Sequence, residues 1–295
     1  MDIHTSEILG VPIYNRKFSE VSELIKKSLK SPKSILTIST PNPEILVKSA
    51  QNSAFHQTLR KFDLALPDGL GIVLAGKLLG KPFEGVVGGV YLMEELVAWA
   101  AKNAVTVGLI GGFTGVALEA GECLTKGHPR LAIFAIPDFN VDESGNEDTQ
   151  EEKVMLQPIM TGPAALLPRP TSSVDSLPAG ARQGTPSACH PSWETSARGN
   201  SVRQLIVEQI ERSKQPAIIF VAFGAPKQEF FIEQLRFKIK DLRLKSSIVL
   251  MTVGGAFDEI AGRVPRAPQV LHRIGLKWLW RLIWQPWRVW RQLRL

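Results

Sequence analysis

The residue best suited to chemistry is Asp68, which stands in Pro67-Asp68-Gly69 directly after the short apolar run Phe62–Leu66. Such a run predicts a buried strand, and a carboxylate at its end should project into the cleft at the edge of a parallel sheet. A partly desolvated carboxylate in a cleft can act as a general base. The alternative is structural, with Asp68 capping a helix or forming an Asp-Gly turn.

Thr40 and Asn42 follow a second predicted strand, the β-branched run Ser34–Thr40. A hydroxyl and an amide at a strand end can bind sugar hydroxyls. The alternative for Asn42 is helix capping, because Pro43 is a suitable first helical residue.

Gln228 and Glu229 stand at the exit of an irregular loop, Gly224–Pro226, that follows the apolar run Ile218–Phe223. Together with the preceding lysine they form a dense polar set at a strand end. The alternative is an ordinary charged first turn, since Glu229 is favourable near a helix N-terminus.

Gly111 and Gly112 form a glycine turn between a predicted strand and a predicted helix. This layout brings backbone N–H groups and a helix N-terminus to a diphosphate. It is not a dinucleotide fingerprint, because Ile110 occupies the first glycine position and no acidic residue follows about twenty positions later. A nucleotide-sugar diphosphate therefore fits more easily than NAD. The alternative is a tight turn without a ligand.

The chain shows no metal-binding motif. Its five histidines lie far apart, Cys123 and Cys189 build no zinc site, and no D-x-D motif is present. That motif usually holds the cation in metal-dependent nucleotide-sugar transferases, so another group must neutralise a leaving diphosphate. Arginine can do so, because its planar fork binds phosphate oxygens in pairs. We expect neither a metal nor a cofactor.

A basic, tryptophan-rich tail supplies such arginines. Trp278–Leu295 holds five of the seven tryptophans, and no acidic residue follows Glu259. Removing the eight cations from Arg263 onward leaves 27 Lys and Arg against 28 Asp and Glu, so the rest of the chain is nearly neutral. Tryptophan with cations suits a membrane interface or a lipid diphosphate. The alternatives are an ordinary helix packed on the core and a nucleic-acid surface.

Hydrophobic patterning predicts the elements that position these residues. Short runs that are apolar on both faces alternate with helical patterns, which is typical of a Rossmann-like α/β fold: a mostly parallel sheet with helices on both faces, here with a C-terminal helical appendage. The predicted strands are Ser34–Thr40, Phe62–Leu66, Val105–Ile110, Arg130–Ile136, Ile218–Phe223 and Ile248–Val253.

The pattern fails between Glu143 and Asn200, where seven prolines fall from Pro158 to Pro191. Such a composition buries too little apolar surface to offset the entropy of ordering it. We interpret residues 1–262 as the core, 143–200 as a disordered insertion, and 263–295 as the appendage. The alternative is that part of the insertion is not native coding sequence.

The first residues lack the cationic start and apolar run of a signal peptide, and no stretch approaches about 18 uninterrupted apolar residues. We therefore expect a cytoplasmic protein that adheres to the inner face of the cell membrane. The sequence leaves open whether it forms a homo-oligomer.

Read in order, these turns resemble the WecG/TagA/CpsF glycosyltransferases. The likeness covers nearly the whole chain outside 143–200. It is carried by Thr40 and Asn42, Pro67–Gly69, Gly111–Gly115, Gly224–Glu229, Val253–Asp258, Arg266–Pro268, Gly275–Leu282 and Pro286–Arg291.

The resemblance implies a metal-independent, inverting transferase of cell-surface polysaccharide or teichoic acid synthesis. Such an enzyme moves an N-acetylmannosamine-type sugar from a UDP donor to a polyprenyl-diphosphate-linked GlcNAc. On this resemblance Asp68 is the general base for the acceptor hydroxyl, and Thr40, Asn42 and Gln228 line the pocket beside it.

The resemblance further implies that Arg281, Arg288 and Arg291 stabilise the UDP leaving group, while the tail lies on the membrane that holds the lipid acceptor. Two positions depart from the family pattern: Gly85 stands where an arginine is usual, and Lys277 replaces a glutamate. The first leaves the identity of the sugar open.

Two other functions remain open from the residues alone. One is a non-catalytic nucleotide- or nucleic-acid-binding protein that uses the basic tail. The other is an oxidoreductase that binds a dinucleotide at the turn Gly111–Gly115, against which the missing fingerprint already counts.

Overall fold

A six-stranded parallel sheet forms the centre of the structure, a computed structural model that describes residues 5–137, 139, 141–147, 201–266 and 280. Its strands are β3 (Ile35–Ser39), β4 (Leu64–Ala65), β5 (Thr106–Gly111), β6 (Ile133–Ile136), β7 (Ala217–Ala222) and β8 (Ile248–Thr252). They lie in the order β4-β3-β8-β7-β5-β6. Each of the six predicted runs overlaps one of these strands, so the predicted parallel α/β fold is confirmed.

Helices cover both faces of the sheet. In the described part of the chain they are α1 (Phe18–Lys30), α2 (Pro43–Gln51), α3 (Ser53–Arg60), α4 (Leu70–Leu78), α5 (Gly89–Ala100), α6 (Val116–Gly127), α7 (Val202–Ser213), α8 (Lys227–Asp241) and α9 (Ala256–Ile260).

The alternation of side chains along a strand builds two cores from one sheet. In β7, Ile218 and Phe220 belong to the apolar cluster that includes α1, α5, α6 and α9. Ile219 and Val221 belong to the cluster that includes α7 and α8. Every residue of β7 is buried, which is why its sequence is apolar throughout.

A hairpin outside the sheet was not predicted from the sequence. Strands β1 (Thr5–Ile8) and β2 (Val11–Tyr14) pair antiparallel and pack with α2, α3 and α4 on a third, smaller cluster. Each strand has only four residues, which is too short for its alternation to stand out from the chain around it.

The two-residue strand β4 is fixed at the sheet edge by the carboxylate of Asp63. Oδ2 of Asp63 accepts hydrogen bonds from the N–H (2.8 Å) and the hydroxyl (2.7 Å) of Thr37 in β3. Arg236 of α8 pairs with Oδ1 at 3.2 Å. These bonds hold the start of the connection that carries Asp68.

Residues 143–147, the first five of the predicted insertion, fold against the core. The carboxylate of Glu147 accepts hydrogen bonds from the N–H groups of Val202 (2.6 Å) and Arg203 (2.9 Å) at the start of α7. This helix begins after its N-cap, Ser201. Residues 148–200 lie outside the described residues, as does the appendage after Arg266 apart from Trp280.

Within the described residues, none of the helices has both the length and the apolar character needed to cross a membrane.

Two phenylalanines test the importance of the core. Phe220 is fully buried in β7, whereas Phe237 on α8 is 63% exposed. We expect Phe220→Ala to lower the free energy of unfolding by about 3–5 kcal/mol, because it removes apolar contacts and leaves a cavity. Phe237→Ala should change it by less than about 0.5 kcal/mol. Urea denaturation of both variants checks this, and equal losses would contradict the assignment of the core.

Candidate active site

The carboxyl ends of five strands meet at one edge of the sheet, and hydrogen bonds join the loops that follow them. These bonds run from Asp68 N–H to Pro41 O (3.1 Å), from Thr40 Oγ1 to Thr252 O (3.3 Å), from Gly254 N–H to Gln228 Oε1 (3.2 Å), and from Gly112 N–H to Ala222 O (3.1 Å). The candidate residues of the described chain therefore lie along one connected edge, hereafter the carboxyl edge.

Asp68 lies half-buried at this edge, in a turn fixed from two sides. Its N–H bonds to Pro41 O, and the N–H of Val87 donates to Pro67 O at 2.8 Å. The N-cap of α4 is Gly69, with φ of +91° and no side-chain capping bond. The N-cap is thus Gly69 and not Asp68, which the capping alternative required.

Thr40 is buried beside the start of α5. Its N–H and hydroxyl both bond to Thr252 of β8, each at 3.3 Å. A Cβ on Gly89 would lie 3.4 Å from the Thr40 hydroxyl oxygen, so the N-terminus of α5 lies close to Thr40. The hydroxyl therefore lies between a strand end and a helix N-terminus.

Asn42 caps α2, which confirms the capping interpretation of this residue. Its Oδ1 accepts the N–H of Ile45 at 2.9 Å, and Pro43 is the first helical residue. Capping uses only the oxygen of the amide, and a contact of Nδ2 with a sugar stays a prediction.

Gln228 is buried and joins two loops of the carboxyl edge. Its Oε1 accepts the N–H of Gly254, and its Nε2 donates to Oε1 of Glu229 at 3.0 Å. Both ends of the amide are thereby fixed in one orientation. One N–H of Nε2 is not used by these bonds, so the side chain keeps a donor.

Glu229 is a fully buried carboxyl, which neither the polar set nor the charged first turn considered from the sequence predicted. Burial is the main cause that raises its pKa to about 7, against the partial opposition of Gln228 and Lys48. Its Oε2 has no hydrogen-bond partner among the described residues. Lys48 comes from α2 and donates to Ala225 O at 3.2 Å. Nothing in the local sequence distinguishes this glutamate from an exposed one.

Gly111 and Gly112 take the turn predicted for them. Both have positive φ (+87° and +82°), and a Cβ on Gly111 would lie 2.4 Å from the ring of Phe223. The N–H of Gly112 already donates to Ala222 O. Gly111 therefore allows close packing on Phe223, Gly112 allows close packing on Val116 of α6, and the contact of both glycines with a diphosphate stays a prediction.

Arg263 closes the loop that leads from this turn into α6. Its guanidinium donates to the carbonyls of Phe113 and Thr114 and pairs with Glu119 at 2.7 Å. It is the first of the eight cations of the tail. Arg281, Arg288 and Arg291 lie outside the described residues, so their assignment to the site stays a prediction.

Two observations limit where other chemistry could lie. In the described ranges no group of three or more His, Cys, Asp or Glu side chains could hold a metal ion. A cavity of about 730 Å³ opens near Lys30, Lys214 and Lys245, but these residues adjoin the amino ends of the strands. It is therefore separate from the carboxyl edge.

The chain matches one family of known proteins. Residues 6–167 and 186–295 match the Glycosyl transferase WecG/TagA/CpsF family, so the match extends into the predicted insertion and leaves out 168–185. An N-acetylglucosaminyldiphosphoundecaprenol N-acetyl-beta-D-mannosaminyltransferase of Bacillus subtilis (strain 168) is 24% identical over 291 residues, which covers 99% of this chain and 88% of that protein. A protein of the same name from Bacillus spizizenii is 27% identical over 256 residues, covering 87% and 74%.

These matches are to sugar transferases, not to dinucleotide oxidoreductases or nucleic-acid-binding proteins, which disfavours both alternatives. The family's segments include every loop of the carboxyl edge. The resemblance seen in the motifs is therefore confirmed, and the chain belongs to the WecG/TagA/CpsF family of glycosyl transferases.

Proposed function

We propose that this enzyme transfers an N-acetylmannosamine-type sugar from a UDP donor to a polyprenyl-diphosphate-linked GlcNAc, with inversion and without a metal ion. The observation that carries the proposal is the half-buried Asp68, held by backbone bonds beside the loop of Thr40 and Asn42. The relatives from two Bacillus species, whose names state an N-acetylmannosaminyl group and an undecaprenol-linked acceptor, support the choice of substrates.

A single displacement accounts for the proposed reaction. The acceptor hydroxyl oxygen attacks the anomeric carbon of the donor sugar while Asp68 accepts the hydroxyl proton. The bond from that carbon to the UDP oxygen breaks, and its electron pair leaves with UDP. Because attack and departure occur on opposite sides, the anomeric configuration inverts. Thr40, Asn42 and Gln228 orient the sugars through their hydroxyl and amide groups, which the loops of the carboxyl edge hold in position.

The charge on departing UDP needs a stabilising partner. We assign this role to Arg281, Arg288 and Arg291, with the N–H groups near Gly111 and Gly112 as a second source of positive potential. The tail then serves two purposes: its arginines close the site, and its tryptophans meet the inner face of the membrane that holds the acceptor. In this arrangement the enzyme is cytoplasmic and peripheral.

The direct test is a donor screen with a short-chain lipid-diphosphate-GlcNAc acceptor. UDP-N-acetylmannosamine or a close relative should be consumed and UDP released, with the rate unchanged by EDTA. Asp68→Asn should lower kcat by about 10²- to 10⁴-fold, the usual contribution of a general base. Loss of activity in EDTA would contradict the metal-free mechanism.

The matched control is Glu84→Gln, which changes an exposed carboxylate at the far end of the same connection. It should retain the wild-type rate, and Asp68→Asn should keep the wild-type unfolding midpoint to within a few degrees. Near-normal turnover in Asp68→Asn would remove this residue from the mechanism.

The tail arginines give a second prediction. Arg281→Gln, Arg288→Gln and Arg291→Gln should each lower kcat/KM by about 10- to 10³-fold, as expected when a charge-stabilising donor is lost. Arg294→Gln changes an arginine outside the motif Pro286–Arg291 and should have little effect. The measurement uses a water-soluble acceptor, so that membrane attachment does not contribute. Equal effects at all four positions would indicate a general electrostatic role instead.

Glu229 gives a prediction about pH. Its pKa is raised from 4.5 to about 7 in the folded protein, so the folded state holds the proton more tightly than the unfolded chain. The contribution of this group to the free energy of unfolding is therefore greatest below pH 4.5. It falls by about 3 kcal/mol as the pH rises toward and through 7. Glu229→Gln keeps the Gln228 contact without a charge and should remove this slope.

Denaturation at pH 5, 6, 7 and 8 measures the slope directly. Glu23→Gln is the control, because the Glu23 side chain is 74% exposed and its change should leave the slope as in the wild type. A Glu229→Gln variant with the wild-type slope would show that another group titrates in this range.

A further inference from the structure

Helix α4 exposes an unusually apolar surface directly after the loop of Asp68. Leu74, Leu78 and Leu79 are 50%, 88% and 58% exposed, and they account for three of the eight large apolar side chains that are exposed in the described chain. Leu74 and Leu78 lie one turn apart on the same face of the helix. Exposing such a cluster to water does not stabilise a monomer.

The surface is a fixed feature of the fold. The opposite face of α4 packs on the third cluster through Ile72. Gly76 approaches the ring of Phe83 so closely that a Cβ there would lie 2.5 Å from it. The helix ends in a tight turn, with the N–H of Lys81 donating to Gly76 O at 2.7 Å. The leucines therefore point outward because the other side of the helix is held.

Lysines flank these leucines. Lys77 and Lys81 are exposed, and no acidic residue occurs between Asp68 and Glu84. An apolar patch edged by cations is complementary to anionic lipid headgroups over hydrocarbon, where each lysine adds to the attraction.

We propose that the end of α4, formed by Leu74, Lys77, Leu78, Leu79 and Lys81, is a membrane-contact surface separate from the tail. It binds an anionic lipid interface, with the leucines in the boundary region and the lysines at the headgroups. The biological role of this surface rests on the proposed function, in which the acceptor is lipid-linked. Because α4 begins directly after Gly69, contact of this helix with the membrane would bring the Asp68 loop to the place where that acceptor resides.

Charge argues against two other occupants. The tail after Glu259 carries eight cations and no acid, so docking it on α4 would bring like charges together. A two-fold contact between copies would set the Lys77 and Lys81 pairs near each other. An anionic membrane attracts both α4 and the tail.

The test is cosedimentation of the full chain with vesicles, which needs neither donor nor acceptor. The vesicles contain phosphatidylcholine with about one third phosphatidylglycerol, compared with phosphatidylcholine alone. Leu78→Ser/Leu79→Ser should weaken binding to the anionic vesicles by at least about tenfold. Lys77→Gln/Lys81→Gln should reduce the preference for phosphatidylglycerol by about fivefold or more, with the cations of the tail supplying the rest.

The matched control is Phe237→Ser/Leu242→Ser, which removes two exposed apolar side chains at the end of α8, and it should bind vesicles like the wild type. All variants should keep wild-type turnover on a water-soluble acceptor, so failure of this surface and failure of the proposed function are distinguishable. Wild-type vesicle binding by both α4 variants would overturn the proposal. A change in sedimentation velocity with unchanged vesicle binding would overturn it in favour of contact between copies.

Discussion

The whole site depends on one constraint: the six central strands run in the same direction. Parallel strands send all their carboxyl ends to one edge, and the connections there must cross back over a face of the sheet. Segments as distant in the chain as Thr40 and Thr252 are therefore hydrogen-bonded neighbours. The carboxyl edge is built from loops that could not meet in an antiparallel arrangement.

The loops of this edge are held by buried polar groups as well as by the sheet. The Gln228 amide bridges Gly254 and Glu229, and the Thr40 hydroxyl reaches Thr252. Glu229 is the exception, because one of its oxygens is buried without a partner in the described chain. Leaving such an atom unpaired costs about 1–3 kcal/mol, so stability alone does not explain a carboxyl at this position. Its neutral form reduces that cost and keeps a fixed acceptor for Gln228.

Charge is distributed unevenly along the chain. Outside the tail the chain is nearly neutral, and the cations gather after Glu259. Arg263, the first of them, is already bound to the loop that starts α6. The proposed mechanism needs positive charge where UDP departs, and the proposed membrane attachment needs it where lipid headgroups lie. The excess of cations after Glu259 can serve both purposes.

The sequence alone determined the class of fold, the six sheet strands, the order of the motifs and the capping of α2 by Asn42. These follow from local rules: an apolar run forms a buried strand wherever it occurs, and Asn-Pro starts a helix through its own atoms. The short hairpin Thr5–Tyr14 escaped this reasoning, because four-residue strands carry little pattern. Only the tertiary structure decided that Gln228 joins two loops, that Glu229 is buried with a raised pKa, and that the leucines of α4 face outward. Burial and charge state depend on which distant residues surround a side chain, and no local pattern records them.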